Sequence, residues 1–524
     1  MAGWILVLVP TGVVLVGAWH ARWVTEDAFI DFRVVENLLA GHGPVFNVGE
    51  RVEAYSDPLW IGALAVLRVA FPFVSIEWWS VLLGLACTAV GLVCGGRAAQ
   101  RIGHRDGAAV VLPTGLLMVS VVDAVWDFAT SGLEMAMVFA WLGVTWWLVV
   151  RMFERRAGNA LPSFVAGLGP LVRPELALMS VVFLAAIAVV TASGEWRGPR
   201  RIAKRWIYPV CCAAGLPFAY ELWRMAYFAL LVPNTGLAKS GGSSWWSQGL
   251  VYVRDFISSD ALWVPLLLSL LVVLPRIGAC WRRGEGVRTA VLAAPVAAGL
   301  VDALYVARVG GDYMHARLLL PSFFSVGMAV WSAPKRGTFS RPLLLLPTAG
   351  IVIWSLVCVA ALRYPAYTTV QPSGIANERA FWVAQAGRPN PIDLSDYAGS
   401  PLFLIGLRAR IASYASGDRQ EVGLGISPVG ALRLMPARSA LPFHLAISLY
   451  NAGIAADEAG SRVYVFDSLS LANPIGSHTA LVARSRPGHE KFIGGCGRSR
   501  GSARPAFDRL RGSPLWPLPT LEGP

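Results

Sequence analysis

The sequence predicts a polytopic α-helical membrane protein of about eleven spans with a C-terminal outer α/β domain. Three observations predict it. Apolar residues make up 55% of the 524-residue chain, with 21 Trp and a mean hydropathy of +0.54, which excludes an ordinary soluble domain. Apolar runs recur up to residue 362 and then stop. The basic residues collect in short clusters between those runs, as topology signals do. The net charge of +13 is therefore no nucleic-acid footprint, since no basic face interleaved with aromatics is present.

The first run, 4–21, lacks a basic leader and a small-residue cleavage site, so it reads as a retained span rather than a removed signal peptide. Further runs fall at about 58–74, 77–96, 107–123, 133–150, 161–173, 175–193, 207–231, 261–275, 289–307, 317–333 and 342–362. Each is judged against the roughly 20 residues a helix needs to cross a bilayer. Basic loops lie at 97–105, 151–156, 194–206, 275–288 and 333–341, with Glu154, Glu195 and Glu285 as their only acids. Were every run to cross from an inside N-terminus, all these loops would land outside, against the positive-inside rule. The segment 57–74 is the one expected not to cross: it opens on Asp57-Pro58, carries Arg68 and is closed by Pro72. As an interfacial or re-entrant helix it puts the basic loops in the cytoplasm and the C-terminal part outside. The short pair 161–173 and 175–193 keeps that parity whether it forms two spans or a hairpin that does not fully cross.

This topology sorts the polar residues by side. The outer loops hold Glu26, Asp27 and Asp31, then Asp123, Asp127 and Glu134, then Arg173 and Glu175. They also hold Asn234 and Lys239, and finally Asp312, His315 and Arg317. Polar groups at span ends are costly to bury and would line a common cavity in a bundle. The inner loops carry almost nothing but Lys and Arg, so chemistry is expected on the outer face. Asp31 follows Asp27 by four residues, on one face of a helix that Thr25 could cap. Ala28, Phe32, Val35 and Leu39 form an adjacent apolar stripe that suits a helix lying flat on a membrane.

Glu26 and Asp27 suit deprotonation of a sugar hydroxyl, or coordination of a divalent cation (Mg, Mn or Ca) on a phosphate. Acids also favour the first turn of any helix. The GGDYMHAR turn could present His315 or Arg317 to a lipid phosphate, Arg317 being the stronger choice because a guanidinium binds phosphate through paired hydrogen bonds. Snorkelling at the head of the next span is its plainer use. Arg173 can meet a phosphate or pair with Glu175 across Pro174, and Lys239 can meet a phosphate or lipid headgroups. Glu134 reads as a helix start able to face the cavity.

Residues 1–362 are thus expected to form the membrane domain and 363–493 a soluble outer domain, in which β-rich runs such as 462–471 alternate with polar turns. The 494–524 tail, rich in Gly, Arg, Pro and Ser, predicts disorder, with a frameshifted or prematurely ended tail as the alternative. Cys87, Cys94, Cys211, Cys212, Cys280 and Cys358 lie in or beside apolar runs and Cys496 lies in the tail, so no disulfide framework or zinc spacing is present.

The acid pair after the first span, followed by LLAGHGPVFNVGERVEAYSDPLW, TSGLE, RPE, PNTGLAK and GGDYMHARLLLP, resembles the GT-C superfamily of polyprenyl-phosphate-sugar-dependent glycosyltransferases. With VYVFDSLSLANPIGSHTALVARSRPGHEK, the likeness is in particular to the terminal β-(1→2) arabinofuranosyltransferase family of mycobacterial-type cell walls. The resemblance implies a GT-C-like, multi-pass transferase of the plasma (inner) membrane with its outer domain on the periplasmic side. It implies decaprenyl-phosphoryl-arabinofuranose as donor and arabinan ends of arabinogalactan or lipoarabinomannan as acceptors. It makes the acid pair catalytic, which falls on Glu26 and Asp27. The family more often carries two aspartates there, so Glu26 is a departure. Arg317, His315, Lys239 and Arg173 are then the candidates for the donor phosphate, and Asp31, Asp127, Glu134, Glu175 and Asp312 for the cavity wall. No cofactor is implied beyond a divalent cation, which Glu26 and Asp27 would hold if the reaction uses one. Donor and product are both nominally β, so the two acids could act as nucleophile and base rather than as one base. The rival readings are another polyprenyl-phosphate sugar such as mannose, a polyprenyl-lipid transporter, or a non-catalytic scaffold. One-sided polar clusters without an internal repeat argue against transport.

Overall fold

Residues 2–493 are described by a computed structural model, apart from 106, 109, 156–157, 194–198, 240–241, 333–341, 362–368, 416–419, 427–428, 438–442, 482–485 and 492. The 494–524 tail with Cys496, the basic loop 333–341 and Glu195 lie outside the described residues. The chain opens with α1 (Ala2–His20), α2 (Ala28–Leu39), α3 (Pro58–Ala70), α4 (Ile76–Arg105), α5 (Thr114–Ser120), α6 (Asp123–Phe128) and α7 (Met135–Arg155). It continues through α8 (Ala160–Gly167), α9 (Gly169–Val172), α10 (Ala177–Ala192), α11 (Pro199–Phe228), α12 (Asn234–Ala238) and α13 (Trp246–Ser258). Then come α14 (Trp263–Arg282), α15 (Gly286–Val309), α16 (Leu320–Met328) and α17 (Pro342–Ala360). Among the described residues, 6 helices are long and apolar enough to cross a membrane: α1, α4, α7, α10 with the turn before it, α14 and α15.

Helix directions decide what lies at each end. α1 and α4 are antiparallel: Gln100 donates to the Gly3 carbonyl at 2.6 Å, and the Trp19 and Trp78 rings meet at 6.2 Å. Both α2 and α3 therefore sit at the Trp19 end, called the mouth below. The 13 residues of α3 reach about 20 Å at 1.5 Å per residue, short of a hydrocarbon core of roughly 30 Å. α4 and α7 run parallel in close contact, with Gly84 beside Ala136 and Arg101 paired to Glu154 at 2.6 Å. Gly91 permits the approach, since a Cβ there would lie 2.3 Å from the Phe139 carbonyl oxygen.

Parallel neighbours need a return path between them, and it differs from expectation. The apolar run at 107–123 is not one spanning helix but the short α5 and α6 behind an unwound stretch. The run at 317–333 is broken in the same way, α16 ending at Met328. The two unwound stretches satisfy one another. Leu112 and Ser332 exchange backbone hydrogen bonds at 2.8 Å, and Gly115 N–H donates to the Val330 carbonyl at 2.9 Å. A Cβ on Gly115 would stand 1.9 Å from the Gly327 oxygen. Non-helical backbone at membrane depth is tolerated only where protein satisfies its polar groups, as here.

Beyond the bundle lie α18 (Glu378–Ala386), α19 (Pro401–Ala415), β1 (Glu421–Ile426), β2 (Ala431–Pro436), β3 (Leu445–Leu449), α20 (Gly453–Ala459), β4 (Val463–Asp467) and α21 (Pro474–Ser477). The sheet has the order β2-β1-β3-β4, antiparallel at β1/β2 and parallel at β1/β3 and β3/β4. Alternate residues of β3 and β4 are buried, including Leu445, Ile447, Val463 and Val465.

This part packs onto the mouth, which corrects the reading of α2. Rather than lying flat on a membrane, α2 buries Ala28 through Val35 between α3 and α20. Arg33 donates to the carbonyls of Phe46 at 2.8 Å, Val463 at 2.9 Å and Ala456. Thr25 does not cap the helix; Asp27 stands at the N-cap position and makes no side-chain cap bond. A guanidinium that meets three carbonyls, two of them from a segment more than 400 residues away, belongs to an interior, whatever the apolar stripe beside it suggests.

Candidate active site

Two backbone segments meet over the mouth and set its chemistry. His315 N–H donates to the Ala376 carbonyl at 2.9 Å and Ala376 N–H to the Tyr313 carbonyl at 2.8 Å. This pairing locks the GGDYMHAR turn to the segment that leads into α18. The turn aims Tyr313 at the acid pair, and its hydroxyl donates to Asp27 Oδ2 at 2.5 Å. Burial and the Asp27 charge hold the Tyr313 hydroxyl well above the usual phenol range, so it remains a donor.

Glu26 and Asp27 are neighbours with different fates. Glu26 is 2% exposed and accepts the Gly453 N–H at 2.5 Å, at the start of α20. Burial, followed by the Asp27 charge, raises its carboxyl well above the usual range. Asp27 is only partly buried. Asp31 is buried beneath it, and burial with Asp57, Glu134 and Asp27 nearby raises its carboxyl as well. Asp57 is pushed up to about 7, by burial first and then by Glu134.

The expected phosphate cations are turned inward. Arg173 reaches Glu134 at 2.7 Å and Glu175 at 2.6 Å. Arg317 reaches Glu134 at 3.2 Å and Asp312 at 3.7 Å. All these side chains are largely buried, Glu134 at 4% and Arg317 at 9% exposed. Arg317 does not snorkel to a surface. His315 Nδ1 contacts Asp255 Oδ2 at 2.5 Å. Asp127 lies 3.6 Å from Arg379 and is pushed up to about 7 by burial. Lys239, half-buried at the end of α12, is felt by His489 and Glu490.

The RPGHEK stretch contributes residues not singled out from the sequence. Arg486 lies over the Tyr313 ring at 4.5 Å, and His489 meets the same ring edge-on at 4.7 Å. Burial, then Arg486, lowers the His489 imidazole to about 4. Beside them opens a cavity of about 440 Å³, walled by Tyr313, Phe381, Trp382, Tyr450, Arg486 and His489, with Glu378 in its lining. Aromatic faces with a few polar groups are how proteins hold sugars and other small polar ligands. The signal was present in the sequence, as a basic-histidine-acid run in the C-terminal part, but nothing local links it to Asp27, more than 450 residues earlier.

The acid pair does not offer a cation a chelate. Glu26 is closed onto the Gly453 amide, and among the described residues no three His, Cys, Asp or Glu side chains converge as a donor set.

No protein-family profile matches the chain, and no solved structure matches it. Two curated relatives do. One, from Mycobacterium tuberculosis, is named terminal β-(1→2)-arabinofuranosyltransferase and is 34% identical over 91% of this chain and 82% of its own length. Another of the same name, from Corynebacterium glutamicum, is 30% identical over 91% of this chain and 74% of its own length. With two such relatives, each matched over 91% of this chain, the chain belongs to the terminal β-(1→2)-arabinofuranosyltransferase family of glycosyltransferases.

Proposed function

We propose that this chain transfers arabinofuranose from a decaprenyl-phosphate donor to the ends of arabinan chains, on the outer face of the plasma membrane, with Asp27 as the working carboxylate. The single observation that carries the assignment is the Asp27–Tyr313 contact at 2.5 Å, beside the aromatic cavity and under Arg486. Asp27 is the half-open member of the pair, whereas Glu26 is tied to α20. Transfer breaks the bond between the anomeric carbon and the phosphate oxygen and joins that carbon to an acceptor hydroxyl oxygen. Asp27 meets the reacting centre, as base for the hydroxyl proton or as first nucleophile, and Tyr313 orients it. Arg486 is the cation that compensates the departing phosphate. Arg173 and Arg317, neutralised by Glu134, Glu175 and Asp312, serve as the floor beneath.

Residues 1–362 make the membrane domain in this reading, with about eleven crossings and α2–α3 at the mouth. Residues 363–493 make the outer domain, which closes the site. The test is transfer of labelled arabinofuranose to a short arabinan in nanodiscs, comparing wild type, Asp27→Asn and Glu26→Gln. Loss in Asp27→Asn with a normal melting profile supports the reading. Full turnover in Asp27→Asn, or a silent wild type with this donor and with mannosyl and other pentosyl donors, sinks it.

A further inference from the structure

α13 lies where the bilayer must end. It runs from the mouth end of α15 to the start of α14, and both of those helices are long and apolar enough to cross a membrane. Trp245 N–H, just before α13, donates to the Arg308 carbonyl at 2.6 Å. A Cβ on Gly249 would stand 1.8 Å from the Ala307 carbonyl oxygen, so α13 is pressed against the last turn of α15. Its 13 residues reach about 20 Å at 1.5 Å per residue, too short to cross. After α13 the chain reverses through Asp260 and Ala261, with φ of 52° and 50°, before α14 begins. Two successive left-handed residues other than glycine are costly. The Trp354 indole fixes the reversal by donating to the Asp260 carbonyl at 2.8 Å.

The helix sorts its side chains into three faces. Gly249, Tyr252 and Phe256 are buried. Trp246, Leu250 and Val251 are 44%, 62% and 41% exposed, and Arg254 continues the same stripe, also exposed. Exposed Arg308 lies beside the start of the helix. An apolar stripe edged by guanidinium groups, set at the ends of two spans, is the pattern of a helix resting in the headgroup layer. The acid of α13, Asp255, is turned the other way, its Oδ2 meeting His315 Nδ1 at 2.5 Å. Tyr252 Oη donates to the Met314 carbonyl at 2.9 Å and accepts the Leu318 N–H at 3.1 Å. Gln248 donates to the Ser373 carbonyl at 2.8 Å. These bonds hold the GGDYMHAR turn and the segment paired to it.

We infer that the Trp246–Leu250–Arg254 stripe of α13 docks on the surface of an anionic bilayer, and that this contact steadies the GGDYMHAR turn behind it. The partner is lipid because α14 and α15 fix the level of the helix at the bilayer boundary. It is anionic because Arg254 and Arg308 are exposed there while Asp255 is withdrawn. Seating the stripe restrains α13. The bonds from Asp255, Tyr252 and Gln248 carry that restraint to the two segments that aim Tyr313 at Asp27. Docking and coupling stand on this geometry, whichever sugar the site transfers.

Two measurements on the full chain in nanodiscs test this, and neither requires turnover. First, a benzophenone amino acid replaces Leu250, and lipid adducts are counted after photolysis in equal phosphatidylcholine and phosphatidylglycerol. The same probe in place of Leu271, exposed midway along α14, samples bulk lipid. Adducts at 250 are expected to favour phosphatidylglycerol about fivefold over those at 271, the gain of one guanidinium at a charged lipid surface. Arg254→Gln should remove that preference. Adducts to protein in place of lipid, or the bulk ratio at 250, overturn the inference. Second, amide hydrogen exchange of peptides covering 311–318 is compared with and without phosphatidylglycerol. Exchange is expected to slow by up to about fivefold, the same gain transmitted to local opening. Asp255→Ala, which leaves the docking stripe intact, should keep the lipid preference and lose most of the slowing. Exchange that ignores phosphatidylglycerol overturns the coupling. A chain that shows both effects yet transfers no sugar would sink the proposed function and leave this inference standing.

Discussion

The two ends of the bundle use the same charged residues in opposite ways. At the mouth, Glu134 holds Arg173 and Arg317 with side chains only 4–11% exposed. At the far end, Arg101 and Glu154 are 27% and 17% exposed. There the cations also lie over aromatic rings, Arg97 on Trp4 at 4.2 Å and Arg105 on Phe153 at 4.4 Å, as anchors at a membrane boundary do. The far end can lose a pair to water at little cost. The mouth cannot, because a carboxylate left alone there has no solvent to replace its partner. Chemistry needs that dry, prearranged setting, and it is found at the end where carboxylates are buried.

The sharpest way to break the comparison is at Asp27. Asp27→Asn should lower kcat by about 10²–10⁴-fold, the range for a lost acid–base group, while a thermal melt stays near wild type. Glu26→Gln should act mainly on stability, by weakening the bond to Gly453. Next comes Arg173→Met, which strands Glu175 and leaves Glu134 with Arg317 alone. It should cost about 3–5 kcal/mol, read as a large fall in melting temperature in detergent. A melt indistinguishable from wild type would show that the mouth network is not the dry structure described.

A smaller effect is the pH dependence of stability. The Glu378 carboxyl moves from 4.5 up to about 7 in the folded chain, through burial first and the Asp27 charge second. Between those values the folded state keeps a proton that the unfolded state has lost. Stability from this group is therefore full below 4.5 and declines as pH rises to about 7, with a slope of at most about 1.4 kcal/mol per pH unit. Asp127, moved from 3.8 to about 7, adds in the same direction. Melts from pH 4.5 to 7 should fall in wild type and fall less in Glu378→Gln; equal slopes would remove Glu378 from the account. The smallest effect belongs to the far end. Arg101→Ala should change stability by about 0–1 kcal/mol, and a loss as large as that of Arg173→Met would erase the contrast between the ends.

What the sequence determined alone was local. Apolar runs of span length, the breaker at Asp57-Pro58 and the one-sided placement of polar clusters need only neighbours to be read. They identified a membrane protein, the polar loops that assemble the mouth, and Glu26 and Asp27 within it. The tertiary structure decided everything that depends on what packs opposite. It buried α2 between α3 and α20, because Arg33 finds carbonyls of 456 and 463 that no local pattern announces. It broke the runs at 107–123 and 317–333, because their unwound backbones can satisfy each other. It drew Arg173 and Arg317 onto Glu134, because a buried carboxylate attracts the nearest guanidinium before any ligand arrives. It separated Glu26 from Asp27, two adjacent acids with the same local propensity, because only one of them met an amide of α20 and the other a tyrosine hydroxyl.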